Sequence, residues 1–474
     1  MEPDFSKLHI SYEAGRASFF YHTNIVARFM SKPHERWPVS FGIIIPNKDN
    51  QCTFYVVYKN ETDFDKYLNE YLKSGNLFSE LYRYIGNEVR TDVNLINSTD
   101  LKNATNGELS KVLAEHYTHF TNLIATAWVL RAVDRSVVNR LKYFFPKNDD
   151  FNSIFSVISI SEKKSFAAEK EDELLRIALL LKGKKVPRVT LEKAVRPVYE
   201  KYKHATVGYF TESAETFDTY VQQTLSYTKD VEKKLREKTA KEKEELQRKQ
   251  EVLFHHALTS NQHLVLQAGA ESAWYKDFYK FNVNKIIFAA EPLFEQVAVR
   301  TGVNSDLIKD MTWEETSDLL QGKKVDLDFI KERIRHSIFV VYAPYIKLLV
   351  GKEADAFEQT YLKFDLSASI FKGRVACRGK VSGPVKIVLG PKDFPKVNHG
   401  DIIVVSNTSP DFVPVLGRVS GIIAEEGGVT AHVSVISREL GIPAVIGVRC
   451  VTTVLNDGMV VELNADKGIV KIIK

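Results

Sequence analysis

Near residue 366 the chain changes character, and that change limits the folds open to it. Up to about residue 365 the sequence is rich in Lys, Glu, Leu, Tyr and Phe and poor in glycine. From about residue 372 it is rich in Val, Ile and Gly, in short stretches that alternate with period two. The first pattern predicts a mainly helical region; the second predicts strands separated by short helices. The expected division is 1–365 and 366–474, with the boundary inside Lys363-Phe364-Asp365-Leu366-Ser367-Ala368-Ser369-Ile370. A chain of 474 residues, 44% hydrophobic and 26% charged, has ample material for two or three cores.

Within the first region, Phe41–Ile45 and Cys52–Tyr58 read as two strands. The turn-forming Pro46-Asn47-Lys48-Asp49-Asn50 lies between them, so a small β-hairpin is expected. The stretch Lys229–Lys249 reads as a solvated helix with i,i+4 pairs at Glu237–Lys241, Glu244–Arg248 and Glu245–Lys249. Thr312 and Glu315 have capping-box spacing for a helix ending near Gly322. The apolar run Phe339–Val350 is broken by Pro344 and Lys347, so no membrane span is expected. A net charge of +5 does not argue for nucleic acid. Cys52, Cys377 and Cys450 are too scattered for a disulfide framework or a metal cluster. With a polar, acidic start and no signal pattern, a cytoplasmic protein is expected.

The densest local information lies in Gly427-Gly428-Val429-Thr430-Ala431-His432, continuing to Arg438-Glu439-Leu440-Gly441-Ile442-Pro443. Two glycines permit a tight turn, including φ > 0. Thr430 is a natural N-cap and puts His432 in the first turn of a helix. Free N–H groups and the helix dipole favour an anion there. Gly441 and Pro443 stop the helix. Imidazole titrates near neutrality, so its neutral ring is a competent nucleophile toward phosphorus. Spacing alone favours an ordinary capping or surface histidine.

The whole string resembles the phosphohistidine, or swivelling, domain of phosphoenolpyruvate synthases, pyruvate phosphate dikinases and rifampin phosphotransferases. Those families share G-G-x-T-x-H followed by R-E-L-G-I-P-A-V, and each of these positions is present here. The likeness continues through Gly400–Val404, Thr408–Pro414, Asp457-Gly458 and Val460–Asn464. It implies a C-terminal α/β domain layered β/β/α, with the distal ring nitrogen of His432 carrying a phosphoryl group. Gly427, Gly428, Thr430, Ser434 and Arg438 would support the phosphate. Thr430 would act chiefly as the cap, with phosphate contact or regulation as further roles. Ser434 stands where the families carry alanine. Arg438, six residues beyond His432, would either neutralise phosphate charge or face solvent, and the second is favoured. Thr408 and Asp411 would flank the site, Asp411 alternatively as a helix cap. Val303–Ile308, Met311–Glu315 and Glu332-Arg333 resemble the helical segment preceding this domain in rifampin-phosphotransferase-like proteins, and Lys201–Phe210 resembles another.

No glycine-rich phosphate loop and no ATP-grasp-like segment is visible, and the phosphoenolpyruvate barrel that follows in relatives has no counterpart before Lys474. The resemblance therefore implies a carrier component that needs an ATP-grasp protein in trans. ATP and Mg would sit on that partner, with no cofactor or metal bound by this chain. The phosphoryl group would pass to a small-molecule acceptor in the helical region. Trp128 with Tyr143-Phe144-Phe145, and Trp274-Tyr275 with Phe278-Tyr279-Phe281, are aromatic clusters that would line a pocket or pack as core. Arg131, Asp134, Arg135 and Arg140 would face phosphate or form an ion-pair ladder. Two other functions remain open: a ligand-binding or regulatory protein with a relic carrier domain, and a relay fed by phosphoenolpyruvate.

Overall fold

The structure is a computed structural model. It describes residues 4–5, 8–12, 36–37, 42–48, 51–52, 55–144, 161, 163–184, 186–205, 207, 214–255, 258–342, 345–362, 369–406, 408, 412–425, 432–448 and 451–473. Four N-terminal strands come first: β1 (His9–Tyr12), β2 (Gly42–Lys48), β3 (Gln51–Cys52) and β4 (Tyr55–Tyr58). Eight helices follow: α1 (Asp65–Ser74), α2 (Leu77–Ser98), α3 (Asn106–Phe144), α4 (Phe166–Leu181), α5 (Arg188–Tyr202), α6 (Phe217–Tyr227), α7 (Val231–His255) and α8 (Ser260–Thr301). Shorter helices α9 (Ser305–Lys309), α10 (Trp313–Leu320) and α11 (Leu327–Arg335) lead to β5 (His336–Tyr342), β6 (Tyr345–Val350) and α12 (Lys352–Tyr361).

Several of the helices start on a side-chain cap. Side chains of Ser165, Thr216, Thr259 and Thr312 accept from backbone N–H groups of the first turns of α4, α6, α8 and α10. Thr259 with Gln262, and Thr312 with Glu315, complete capping boxes. Gly302, at φ 71°, ends α8 in the left-handed conformation that favours glycine. In α2 the buried positions Leu77, Leu81, Ile85, Val89, Asp92 and Ile96 form one stripe. That stripe packs against α3 and the 42-residue α8, which form the spine of the helical region.

The stripe includes one ionisable residue. Asp92 and His116 are both fully buried, and both carboxylate oxygens lie 2.9–3.0 Å from His116 Nδ1. Burial pushes the Asp92 carboxyl up and the His116 imidazole down, which favours the uncharged forms with a proton shared between them. One turn away, Glu88 accepts from His119 Nδ1 at 2.8 Å and from Asn122 at 3.1 Å. The expected charged helix is α7, but its ion pairs among the described residues mostly reach α4 and the residues beside it. Lys238 pairs with Glu171 and Asp172 of α4, and Glu242 pairs with Lys164. The side chains of Lys241 and Glu245 lie outside the described residues.

The expected hairpin is part of a larger sheet, ordered β1-β4-β2-β5-β6 with β3 against β2. Strand β5 joins β2 antiparallel from Ile43↔Val341 to Lys48↔His336. The apolar run Phe339–Val350 is thus the paired strands β5 and β6. Pro46, expected in a turn, lies within β2 and pairs with Ile338. Asp49 and Asn50 lie outside the described residues. The correction has a physical cause: the partner of β2 lies nearly three hundred residues away, where no local signal reaches. Among the described residues no helix is long and apolar enough to cross a membrane.

From Ile370 onward the expected change of regime is present. Strands β7 (Ile370–Lys372), β8 (Arg374–Cys377), β9 (Lys380–Ile387), β10 (Ile402–Val405), β11 (Gly421–Ala424), β12 (Ala444–Ile446), β13 (Val460–Asn464) and β14 (Ile469–Ile472) are joined by α13 (Val413–Leu416), α14 (His432–Glu439) and α15 (Val451–Val454). Strand β9 pairs antiparallel with β13 through Lys380–Pro384 and parallel with β10 through Val385–Ile387, linking two sheets. Ile402, Val404, Ile423 and Val445 enter the core shared with Val461, Leu463 and Val470. Their neighbours Ile403, Val405, Ile422, Ala424, Ala444 and Ile446 face the other way, toward Val433 and Ile436 of α14. The layers are therefore sheet, sheet and helix. The segment 363–368, expected to hold the boundary, lies outside the described residues.

Gly373 sits between β7 and β8 where a Cβ would meet the Ile446 carbonyl at 2.5 Å and Val445 Cγ1 at 2.6 Å. Gly373→Ala should lower stability by about 1–3 kcal/mol, read as a shifted urea midpoint. Gly417→Ala, with nothing within 4 Å of the new methyl, serves as the unshifted control. Asp92→Ala, which strands the neutral His116 ring in an apolar interior, should cost about 1–3 kcal/mol. An Asp92→Leu/His116→Leu double variant should recover much of that loss in the same titration.

Candidate functional site

Strands β10, β11 and β12 run parallel, with Ile402↔Gly421 and Ile422↔Ala444 in register. Parallel neighbours require crossovers, and ligands of such sheets gather beyond the carboxyl ends of the strands. At that edge lie Ser406 and Thr408 after β10, and Glu425 after β11; α14 starts from the same connection.

Glu425 is 2% exposed, and its Oε1 accepts from the Thr452 N–H at 2.9 Å and the Thr452 hydroxyl at 2.6 Å. It therefore caps α15 and ties the end of β11 to it. Ser406 is 2% exposed, and its Oγ is buried without a hydrogen-bond partner among the described residues. Thr408 is buried beside it in sequence. Neither Ser406 nor Glu425 stood out in the sequence. The available signal was a carboxylate directly after the four-residue apolar strand Gly421–Ala424, where it must be solvated or paired.

His432 is the first residue of α14. The first N–H groups of an α-helix have no partner within the helix, and with the helix dipole they favour an anion at this end of the eight-residue α14. The side chain of His432 lies outside the described residues, as do Gly427, Gly428, Thr430 and Asp411. Val433, Ser434, Ile436 and Ser437 are buried, which seats α14 on the sheet. Ser434 is fully buried on this inner side, and its carbonyl accepts from the Ser437 hydroxyl at 3.3 Å. The helix stops as expected. Gly441, at φ 64°, donates to Arg438 O, and Ile442 donates to Ser437 O, the paired bonds of a Schellman motif.

Arg438 has neither of its expected positions. Its Nε donates to the Ala376 carbonyl of β8 at 2.7 Å. Nη1 and Nη2 are buried without partners among the described residues. Six residues from His432 correspond to about 9 Å of axial rise and about 240° of rotation, so this guanidinium is clamped at the far end of α14. Burial holds it below its ordinary pKa, and burial likewise raises the Cys377 thiol, against the opposing charge of Arg438. It is a positioning residue that fixes α14 to β8. The removed clamp in Arg438→Ala should cost about 1–3 kcal/mol.

The aromatic and basic clusters of the helical region are largely consumed by packing. Trp274 stacks on Phe278 at 5.4 Å and donates its indole N–H to the Lys164 carbonyl, while Phe281 stacks on Phe166 at 4.1 Å. Trp128 is buried, whereas Tyr143 is exposed and Phe145 lies outside the described residues. Arg135 donates to the Tyr58 hydroxyl and Arg140 to Asn69. Asp134 accepts from Ser272 and Lys276, and Arg131 lies over Trp128. These contacts tie α3 to β4, α1 and α8. Among the described residues no group of three or more His, Cys, Asp or Glu is arranged to hold a metal ion.

Residues 397–468 match the family model described as the PEP-utilising enzyme, mobile domain. A probable phosphoenolpyruvate synthase of Archaeoglobus fulgidus is 35% identical over 176 residues, covering 37% of this chain and 23% of that protein. The probable phosphoenolpyruvate synthase of Methanothermobacter thermautotrophicus is 43% identical over 116 residues, 24% of this chain and 17% of that protein. The phosphoenolpyruvate synthase of Pseudomonas aeruginosa is 33% identical over 147 residues, 31% and 18% of the two chains. The chain thus matches less than a quarter of the length of these relatives. An alignment of 176 residues is longer than the sheet region from Ile370 onward, so the likeness extends into the helical region. The prediction from this site is structural: Arg438→Ala should show its loss as a lowered denaturant midpoint, with the far-ultraviolet spectrum retained.

Proposed function

We propose that this chain is a phosphoryl-carrying component of a phosphotransferase, with residues 366–474 as the mobile carrier domain and His432 as its phosphorylated residue. The observation that carries this reading is the start of α14 at His432, beyond the carboxyl ends of parallel strands, within the 397–468 match. In the first step a lone pair of the neutral imidazole attacks phosphorus. The donor's P–O bond breaks and an N–P bond forms, while the ring proton is lost to solvent. In the second step the acceptor hydroxyl forms a new P–O bond as N–P breaks. The hydroxyl proton replaces the one the ring lost in the first step, and the neutral imidazole is regenerated.

Nucleotide chemistry belongs to an ATP-grasp protein acting in trans, with ATP and Mg held there. This part of the reading is motivated by the lack of any glycine-rich phosphate loop within the 474 residues. In this reading the sequence resemblance assigns Gly427, Gly428 and Thr430 to support of the phosphoryl group, and the buried Ser434 seats the helix. The acceptor is a small molecule bound by the helical region. The absence of any long apolar helix among the described residues agrees with a protein that works free of the bilayer core.

Wild-type protein incubated with labelled ATP and a matched ATP-grasp protein, or with labelled phosphoenolpyruvate, should acquire an acid-labile, base-stable label. His432→Ala should acquire none. Wild-type protein that never labels from either source would sink the proposal in favour of a relic carrier domain. Labelling from ATP with no second protein would remove the need for a partner in trans. Labelling from phosphoenolpyruvate, with another protein as sole recipient, would favour the relay.

A further inference from the structure

The interior of the helical region holds a titratable pair that the proposed phosphoryl chemistry does not use. Asp92 of α2 and His116 of α3 are fully buried, and both carboxylate oxygens lie 2.9–3.0 Å from the single ring nitrogen Nδ1. Those distances set one proton among three atoms. Aromatic rings close around it: Phe120 stacks on the imidazole at 6.2 Å, Tyr117 meets it edge-on at 6.1 Å, and α8 faces it with the Phe294 ring at 6.2 Å. The charged groups that act on the pair come from α2 and α3 themselves. Glu88 and His119, 2.8 Å apart, form a second pair one turn away, with Asn122 donating to Glu88 and Glu115 near His119. Asp92 feels both Glu88 and His119, and His116 feels His119.

With one proton the pair is neutral, however the proton is shared. With none it is a bare carboxylate in an apolar interior; with two it is an imidazolium there. Either departure leaves a charge out of water without compensation. Burial, ahead of the neighbouring charges, therefore raises the Asp92 carboxyl to about 8 and lowers the His116 ring. In the unfolded chain the two groups titrate near their ordinary values of 3.8 and 6.5. A raised acid loses stability as pH rises; a depressed imidazole gains it until the unfolded ring has lost its proton. The two effects cancel between 3.8 and 6.5, where folded and unfolded pairs each hold one proton. From 6.5 to about 8 only the loss remains, because the folded pair still holds a proton that the unfolded pair has given up. Solvent comes within a turn of the pair. A groove of about 480 Å³ opens between the end of α2 and the start of α3, and Leu95, Thr99, Val112 and Glu115 are among the residues lining it. Leu95 stands one turn after Asp92, and Val112 one turn before His116.

We propose that Asp92 and His116 are a one-proton latch between α2 and α3, closed while the pair holds its shared proton and released as that proton passes to solvent toward alkaline pH. Release leaves the Asp92 carboxylate charged among aromatic rings and one turn from Glu88. Parting α2 from α3 at the groove admits water to it. The outer pair works in the same direction. Its hydrogen bond to Glu88 holds the His119 ring above its ordinary value, and loss of that proton leaves Glu88 uncompensated beside Asp92. The latch does not depend on His432 or on the function proposed above.

The test compares the full chain with its Asp92→Leu/His116→Leu variant, which lacks both members of the pair and retains every other titrating group. Urea unfolding of each, from about pH 5 to about pH 8.5, gives the ratio of their unfolding constants. The ratio should stay level up to 6.5 and then change by about tenfold per pH unit until about 8, with wild type the one losing stability, since its unfolding releases one proton more. Should the double variant fail to fold, Asp92→Asn keeps a hydrogen-bond partner for Nδ1 and has no acid proton to lose. Its ratio to wild type should change by the same tenfold per unit between 6.5 and about 8. Nitrogen-15 NMR of histidine-labelled wild-type protein gives a second readout. The imidazole resonance absent from the variant with Leu at both positions should hold still through 6.5 and move only above it. A ratio that stays level from 6.5 to about 8, or a His116 ring that titrates at 6.5, would overturn the latch.

Discussion

The C-terminal region depends on one constraint: strands β10, β11 and β12 are buried on both faces. Their successive side chains enter opposite cores, Ile402 and Val404 on one side, Ile403 and Val405 on the other. Each such aliphatic side chain contributes about 1.5–3 kcal/mol when fully buried. Two-sided burial in parallel strands excludes a hairpin connection and forces the chain to cross over on the helical layer. The chain leaving Ala424 must therefore turn at the carboxyl edge, and α14 starts from that turn. The anion-favouring end of a helix and the open edge of the sheet come together as a consequence of packing.

That packing also absorbs polar defects. The Arg438 Nη1 and Nη2 and the Ser406 hydroxyl, buried without partners among the described residues, oppose folding, a small cost against the aliphatic burial of the two cores. In return, the Arg438 bond to Ala376 fixes the far end of α14 against β8. The contacts at the far end of α14 and at the end of β11 hold the helix and the sheet edge in one rigid mount. The mount is built from Arg438, Glu425 and the Schellman stop at Gly441.

The helical region shows the same economy of polar groups. Asp92 and His116 meet between α2 and α3 with no water-exposed surface, and Asp134 ties α3 to α8 through Ser272 and Lys276. Such buried pairs add little net stability but penalise any other register of the helices, because a shifted helix would leave each group alone. The lysines and carboxylates of α7 similarly hold it on α4. Most of the arginines and aromatics that suggested a phosphate or acceptor pocket are occupied in these structural contacts.

Much was legible in the residues themselves. The change of regime near 366, the helix begun at Thr312, the strands around Ile43 and Val56, and the stop of α14 at Gly441 all follow from local signals. Each depends on a side chain and a backbone group a few residues apart, so the linear order contains the whole interaction. The pairing of β2 with β5, the turning of Arg438 onto Ala376, the capping of α15 by Glu425 and the bond from Asn284 to the Ala205 carbonyl were not legible. Each joins surfaces that the chain brings together only after its elements have packed. A strand edge, a guanidinium or an amide does not encode which of many possible partners it will meet. Sequence alone determined that a histidine stands at the head of a helix that stops at Gly441; only the tertiary structure decided what surrounds that helix, because its neighbours come from strands distant in the chain.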